Sequence, residues 1–160
     1  MEVIAEFQLK EWLDDKTLRS RLKVQGVEAR RLSRFTQLAL LGALSLKDYV
    51  NEESAVYLGS SFNSPTKFQK MFDHLMQQQL PSPLDFMANI NNAAVFHIAQ
   101  TLHLQGVSVF LAMEKKQLTR LFELAELDLA SDQTALIGWV FEGYRQNQQD
   151  ESIWWVVKGE

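Results

Sequence analysis

The sequence predicts an α/β protein: a mixed, mostly parallel sheet of about five strands covered by helices, with an antiparallel pair at its end. Three observations carry this. Short apolar runs alternate with amphipathic helical stretches, the pattern of strands buried between helices. A long helical stripe occupies residues 30–50. The last two apolar runs are joined by a polar stretch short enough for a hairpin.

Val3 to Leu9 alternates well enough for a first strand, although Leu9 to Leu13 equally suits a helical turn. Residues 14–29 are polar with charges of both signs and read as a loop or an exposed short helix, the only linker candidate. From Arg30 the string RRLSRFTQLALLGALSLKDYV puts Leu32, Phe35, Leu38, Ala39, Leu41, Gly42 and Leu46 on one stripe, predicting a helix. Ala55 to Gly59 is a short buried strand leading into a loop. Ser64 and Pro65 then fit the cap and first position of a helix running to about Gln79. Leu80-Pro81-Ser82-Pro83 breaks it.

Ala93 to Leu102 reads as a helix with small, closely packing residues, and Gly106 as its C-terminal cap. Val107 to Met113 is strand and Lys116 to Leu129 helix. Thr134 to Glu142 is strand, Arg145 to Glu151 a polar turn, and Ser152 to Val157 the final strand. There is no repeat and no low-complexity segment, so residues 1–160 form one domain.

Composition excludes several function classes. Hydrophobic residues are 46% and charged residues 22%, an ordinary globular balance. The net charge is -4 with no basic block, which argues against nucleic acid. Arg30, Arg31 and Arg34, the densest positive cluster, suit a solvated face or ion pairs. With no cysteine there is no disulfide, thiolate nucleophile or thiolate metal site. The three histidines (His74, His97, His103) lack metal-ligand spacing, and His97 reads as a hydrogen-bonded, partly buried imidazole. No cofactor cradle and no metal site are expected. The N-terminus lacks the pattern of a signal peptide, and no apolar run would span a membrane, so a cytoplasmic location is the default expectation.

Little else offers catalysis. Gly59-Ser60-Ser61-Phe62 lacks the glycines of a nucleophile elbow and a histidine in triad order. Asp73 and His74 fall on opposite sides of a helix, and Glu123, Glu126 and Asp128 make a solvated face. Glu114 differs by position: it ends a strand and opens a helix, where a carboxylate suits the helix dipole. A capping acid and a partner-facing residue are both open readings there.

Four segments together resemble the N-terminal half of a β-ketoacyl synthase, with its thiolase-like fold. ARRLSRFTQLALLGAL is similar to the arginine-rich helix of chain length factors, and AVYLGSSFNS to that family's strand and serine-rich loop. LPSPLDFMANINNAAVFHIAQTLHLQG carries Ser82, Pro83, Phe86, Asn92, Ala93 and Ala94 in the family's positions. Val107 to Glu142 resembles the nucleophile strand, its helix and the next core strand. The resemblance covers residues 28–142, and the final strand fits too.

The resemblance puts Glu114 where a condensing enzyme carries its cysteine. Ile90-Asn91 stands for the family's Val-His, and Lys115, Lys116 and Gln117 replace small residues. The family's two active-site histidines lie in a C-terminal half that has no counterpart in this sequence. It thus implies a non-catalytic, chain length factor-like subunit that forms a heterodimer with an active β-ketoacyl synthase, and through it meets acyl carrier protein. Type II fatty acid or polyketide biosynthesis is the implied setting, aryl polyene assembly being one candidate. The implied partner interface is Asn91, Asn92, Val107, Val109, Leu111, Met113 and Glu114. Two rivals remain at this point: a thioester-acting enzyme using Glu114 as acid or base, and a homo-oligomeric scaffold outside polyketide chemistry.

Overall fold

A computed structural model describes residues 1–77, 80, 82–144 and 147–160. One five-stranded sheet, in the order β1-β5-β4-β2-β3, organises the molecule. Its strands are β1 (Glu2–Lys10), β2 (Ala55–Ser60), β3 (Ser108–Ala112), β4 (Thr134–Phe141) and β5 (Glu151–Lys158). β3, β2 and β4 are parallel; β5 runs antiparallel to β4 as the expected hairpin, and β1 antiparallel to β5. The pairings therefore divide evenly, because β1 joins the hairpin at the far edge rather than the parallel strands.

Helices cover both faces. Against one face lie α1 (Asp15–Val24), α2 (Arg34–Leu44) and α5 (Ala93–Leu102), packing on Val56, Leu58, Leu136, Val140, Trp154 and Val156. Against the other lies α6 (Thr119–Asp128), whose Leu121 and Ala125 meet Tyr57, Ala135, Ile137 and Val157. The alternation of β2, β4 and β5 thus splits between two cores, which is why these strands read as continuous apolar runs.

The segment read as a linker is helical and belongs to the core. Asp14 caps α1 by accepting from Thr17 N at 2.8 Å, and Leu18 and Leu22, one turn apart, are fully buried. α2 starts at Arg34 rather than Arg30, because Ser33 Oγ accepts from Thr36 N and fixes the first turn there. It is buried on every side from Phe35 to Leu44, so its stripe is the whole helix.

Trp154 explains why α2 comes so close. Its ring fills the gap between α2 and the sheet, and a Cβ at Gly42 or Gly138 would fall 2.2 Å or 2.5 Å from ring atoms. Trp154 Nε1 donates to Ser152 Oγ at 3.0 Å, which donates to Leu38 O at 2.7 Å, so the indole is satisfied without water.

Two expectations change in the middle of the chain. α5 ends on His103 in the left-handed conformation (φ 57°), while Gly106 serves a close approach: a Cβ there would lie 2.5 Å from Ser54 O. α3 spans Pro65–Met76, so the expected end at Gln79 lies outside the described residues, as do Pro81 of the predicted breaker and Arg145 of the predicted turn. Beyond the breaker stands an unexpected helix, α4 (Pro83–Ala88), with Ser82 Oγ accepting from Asp85 N. Lys67 and Lys70 of α3 both reach Asp85 at 3.2 Å and clasp the two helices together.

Candidate functional site

β3 is an edge strand. Val107 O accepts from Val56 N at 2.8 Å, and Met113 N donates to Ser60 O at 3.0 Å. Backbone direction alternates along a strand, so residues 107, 109, 111 and 113 turn their amides and carbonyls toward β2. Those of Ser108, Phe110 and Ala112 therefore face the open edge. No residue of β3 is charged, whereas the opposite edge strand, β1, carries Glu2, Glu6 and Lys10. Charges of that kind normally blunt an edge against pairing with another chain; β3 has none.

Beside this edge lies an apolar cavity of about 490 Å³. Phe110 and Ala112 line it together with Phe68 and Met71 of α3, Phe86 of α4, and Ile90 and Asn91. Phe110 is held edge-on to Phe35 of α2, ring centroids 6.3 Å apart. Asn63 Nδ2 donates to Ile90 O at 3.1 Å and ties the loop after β2 to this lining.

The sequence-predicted interface residues are only partly brought together. Asn91 lines the cavity beside β3, but Asn92 starts α5 and lines a different cavity. Val107, just before β3, is half exposed. Val109, Leu111 and Met113 point to the α6 face, where they pack on the second core. Phe110 and Ala112, on the cavity side, were missed; the strand's period of two holds the signal, since neighbouring side chains must take opposite faces.

Glu114 stands five residues before α6, with a single 3-10 turn (Lys115–Gln117) between, so α6 does not open at the corner. Its backbone is ordinary extended chain (φ -82°, ψ 150°), without the strain of a nucleophile elbow. Gln117 Oε1 accepts from Glu114 N at 3.0 Å, while the Glu114 carboxylate, two-thirds exposed, pairs with Lys116 at 2.6 Å. Glu151 anchors the same corner to β5: it accepts from Lys115 Nζ at 2.6 Å and from Trp139 Nε1 at 2.7 Å. These contacts hold a shape.

A buried carboxylate lies elsewhere, at the far end of β4. Glu142, at the end of β4 and 1% exposed, accepts from Thr66 Oγ1 at 2.5 Å, and from Thr66 N and Ser64 Oγ at 3.4 Å, fixing the start of α3. Burial raises its pKa above the ordinary glutamate value of 4.5; the Thr66 bonds and Arg34 oppose that, and Asp150 adds to it. A raised acid pKa means the ionised form is disfavoured in the folded state. Stability from this group is therefore full below 4.5 and lost as pH rises through the folded value. Glu142→Gln removes that dependence, so its melting temperature relative to the unaltered protein should rise between pH 4.5 and pH 7; a constant difference would contradict this reading.

Arg34 links three elements nearby. It pairs with Asp15 at 2.8 Å and with the fully buried Asp150, donates to Leu13 O, and lies over the Trp12 ring. His97 is half-buried and its ring makes no hydrogen bond among the described residues; burial lowers its pKa. Among the described residues no group of three or more His, Asp or Glu is placed to hold a metal, and no helix is long and apolar enough to cross a membrane.

No family model and no curated protein matches the chain. Solved structures do. The chain is similar to one in the complex of the ketosynthase ApeO with its chain length factor ApeC from Xenorhabdus doucetiae. That match has a TM-score of 0.75 and 16% identity, covering 99% of this chain and 79% of the other. The ishigamide ketosynthase/chain length factor matches with a TM-score of 0.66 and 16% identity over 88% of this chain, which spans 47% of that one. The mixed five-stranded sheet between helices is thus the thiolase-like fold of ketosynthase/chain length factor structures.

Proposed function

We propose that this chain is a non-catalytic, chain length factor-like subunit that pairs with an active β-ketoacyl synthase in fatty acid or polyketide assembly, with aryl polyene synthesis as the candidate setting. The observation that carries this is the uncharged open edge of β3 beside an apolar cavity. A partner strand would satisfy the outward amides and carbonyls of Ser108, Phe110 and Ala112 and cover Phe110 and Phe86. Asn91 sits within that footprint; Val109, Leu111 and Met113 support the edge from behind, and acyl carrier protein would be met through the synthase.

The absence of cysteine and the setting of Glu114 favour a non-catalytic role. An acid–base carboxylate needs a desolvated pocket, and a ketosynthase needs a thiolate; Glu114 is exposed and ion-paired. Glu114→Ala is expected to leave any malonyl thioester turnover by the complex unchanged, and to lower stability by no more than about 1 kcal/mol. A loss of turnover specific to this variant would restore the enzyme reading. Co-expression with the ketosynthase encoded nearest to it, followed by size-exclusion chromatography, tests the pairing itself: co-elution is expected, and a soluble monomer that ignores the synthase contradicts it.

A further inference from the structure

A second cavity, of about 400 Å³, opens between the start of α2, α4 and the first turns of α5. Among the described residues it takes none from β3 and shares only Ile90 with the cavity beside that edge. Leu32, Leu84, Met87, Ile90 and Phe96 supply its walls, and Leu84, Met87 and Phe96 are each 60% or more exposed. Large apolar side chains held open around a volume within the about 300–1,000 Å³ range of small-molecule sites are costly without an occupant.

The charge around the cavity identifies the occupant. Among the described residues, Arg31 is the only charged one lining it, and it has no ion-pair or hydrogen-bond partner there. Arg30, its neighbour, does not line the cavity. The only other titratable group on the wall among the described residues is His97, whose pKa burial lowers, so near neutral pH it adds no second cation. One free guanidinium at the rim of an apolar space matches one planar monoanion on an apolar tail. A doubly charged phosphate would leave charge uncompensated, and a nucleotide would bury polar groups against the leucines.

We propose that this cavity binds a medium-chain monocarboxylate, its alkyl tail between Leu84, Met87 and Phe96 and its carboxylate on Arg31.

Isothermal titration of the purified chain with sodium octanoate, sodium decanoate, octanol and octyl phosphate, each below its aggregation threshold, tests this. Saturable one-to-one binding is expected, tighter for decanoate than for octanoate, and tighter for octanoate than for octanol or octyl phosphate. Arg31→Gln, at an exposed position, should weaken octanoate about tenfold and leave octanol unchanged. Phe96→Asn, also exposed, should weaken all of them. No saturable binding would overturn the proposal. So would octanoate binding indifferent to Arg31→Gln, or octyl phosphate binding more tightly than octanoate. None of these outcomes depends on whether a ketosynthase pairs with the chain.

Discussion

Gly42→Ala should destabilise the protein by about 3 kcal/mol and lower its melting temperature by roughly 10 °C. One methyl group is enough because the new Cβ would sit 2.2 Å from Trp154 Cδ1 and 2.5 Å from Ser152 Oγ. The indole cannot swing aside: it is fully buried, bonded to Ser152 and bounded on its other edge by Gly138. The clash therefore pushes α2 away from the sheet, and α2 is the buried centre of the larger core. Trp154→Phe in the Gly42→Ala background should recover part of the loss, since the two changes act through the same contact. A thermal midpoint unchanged by Gly42→Ala would show that α2 and β5 are not packed as described.

The second large effect falls on association. Ala112→Pro should leave the folded chain nearly intact and weaken ketosynthase pairing by at least about a hundredfold. Proline removes an amide and fixes φ, which an edge strand tolerates where the amide faces outward. By the alternation set by Val107 and Met113, the Ala112 amide points away from β2. Leu111→Pro, one residue earlier, removes an amide directed at β2 and fills no outward position; it should unfold the parallel edge instead. Equal effects of the two substitutions on stability would contradict the assigned register. Unimpaired co-elution of the Ala112→Pro chain with the synthase would show that another surface makes the contact.

Much of the fold was legible because its strands are short and apolar and its helices carry strong boundary residues. Ala93 to Leu102 and Thr134 to Phe141 fall where the pattern places them. α1 was harder: only Leu18 and Leu22 of its ten residues are buried, so charges dominate its composition while two leucines do the packing. α4 was hidden because a proline next to serine reads as a breaker, although the same pair forms a helix start with Ser82 as cap. The direction of β1 could not be read locally, since pairing with β5 joins the two ends of the chain.

The candidate edge was easier to single out than the facing of its side chains. The strand before Glu114 could be singled out from sequence, but its sides could not, because the side that meets β2 is set by a distant segment. That is why Val109, Leu111 and Met113 were expected at the interface while Phe110 and Ala112 line the cavity. Glu114 stands out by its position; the structure gives it to Lys116 and buries a different carboxylate, Glu142, whose partners Ser64 and Thr66 are more than seventy residues away.

Hydrogen exchange at single-amide resolution, on the chain alone and in the presence of the ketosynthase, reaches the central claim most directly. Pairing through β3 predicts that the amides of Ser108, Phe110 and Ala112 exchange freely in the isolated chain and become protected in the complex. Those of Val109 and Leu111, already directed at β2, should change little. A stable complex in which all three outward amides keep their free exchange rates would contradict the account.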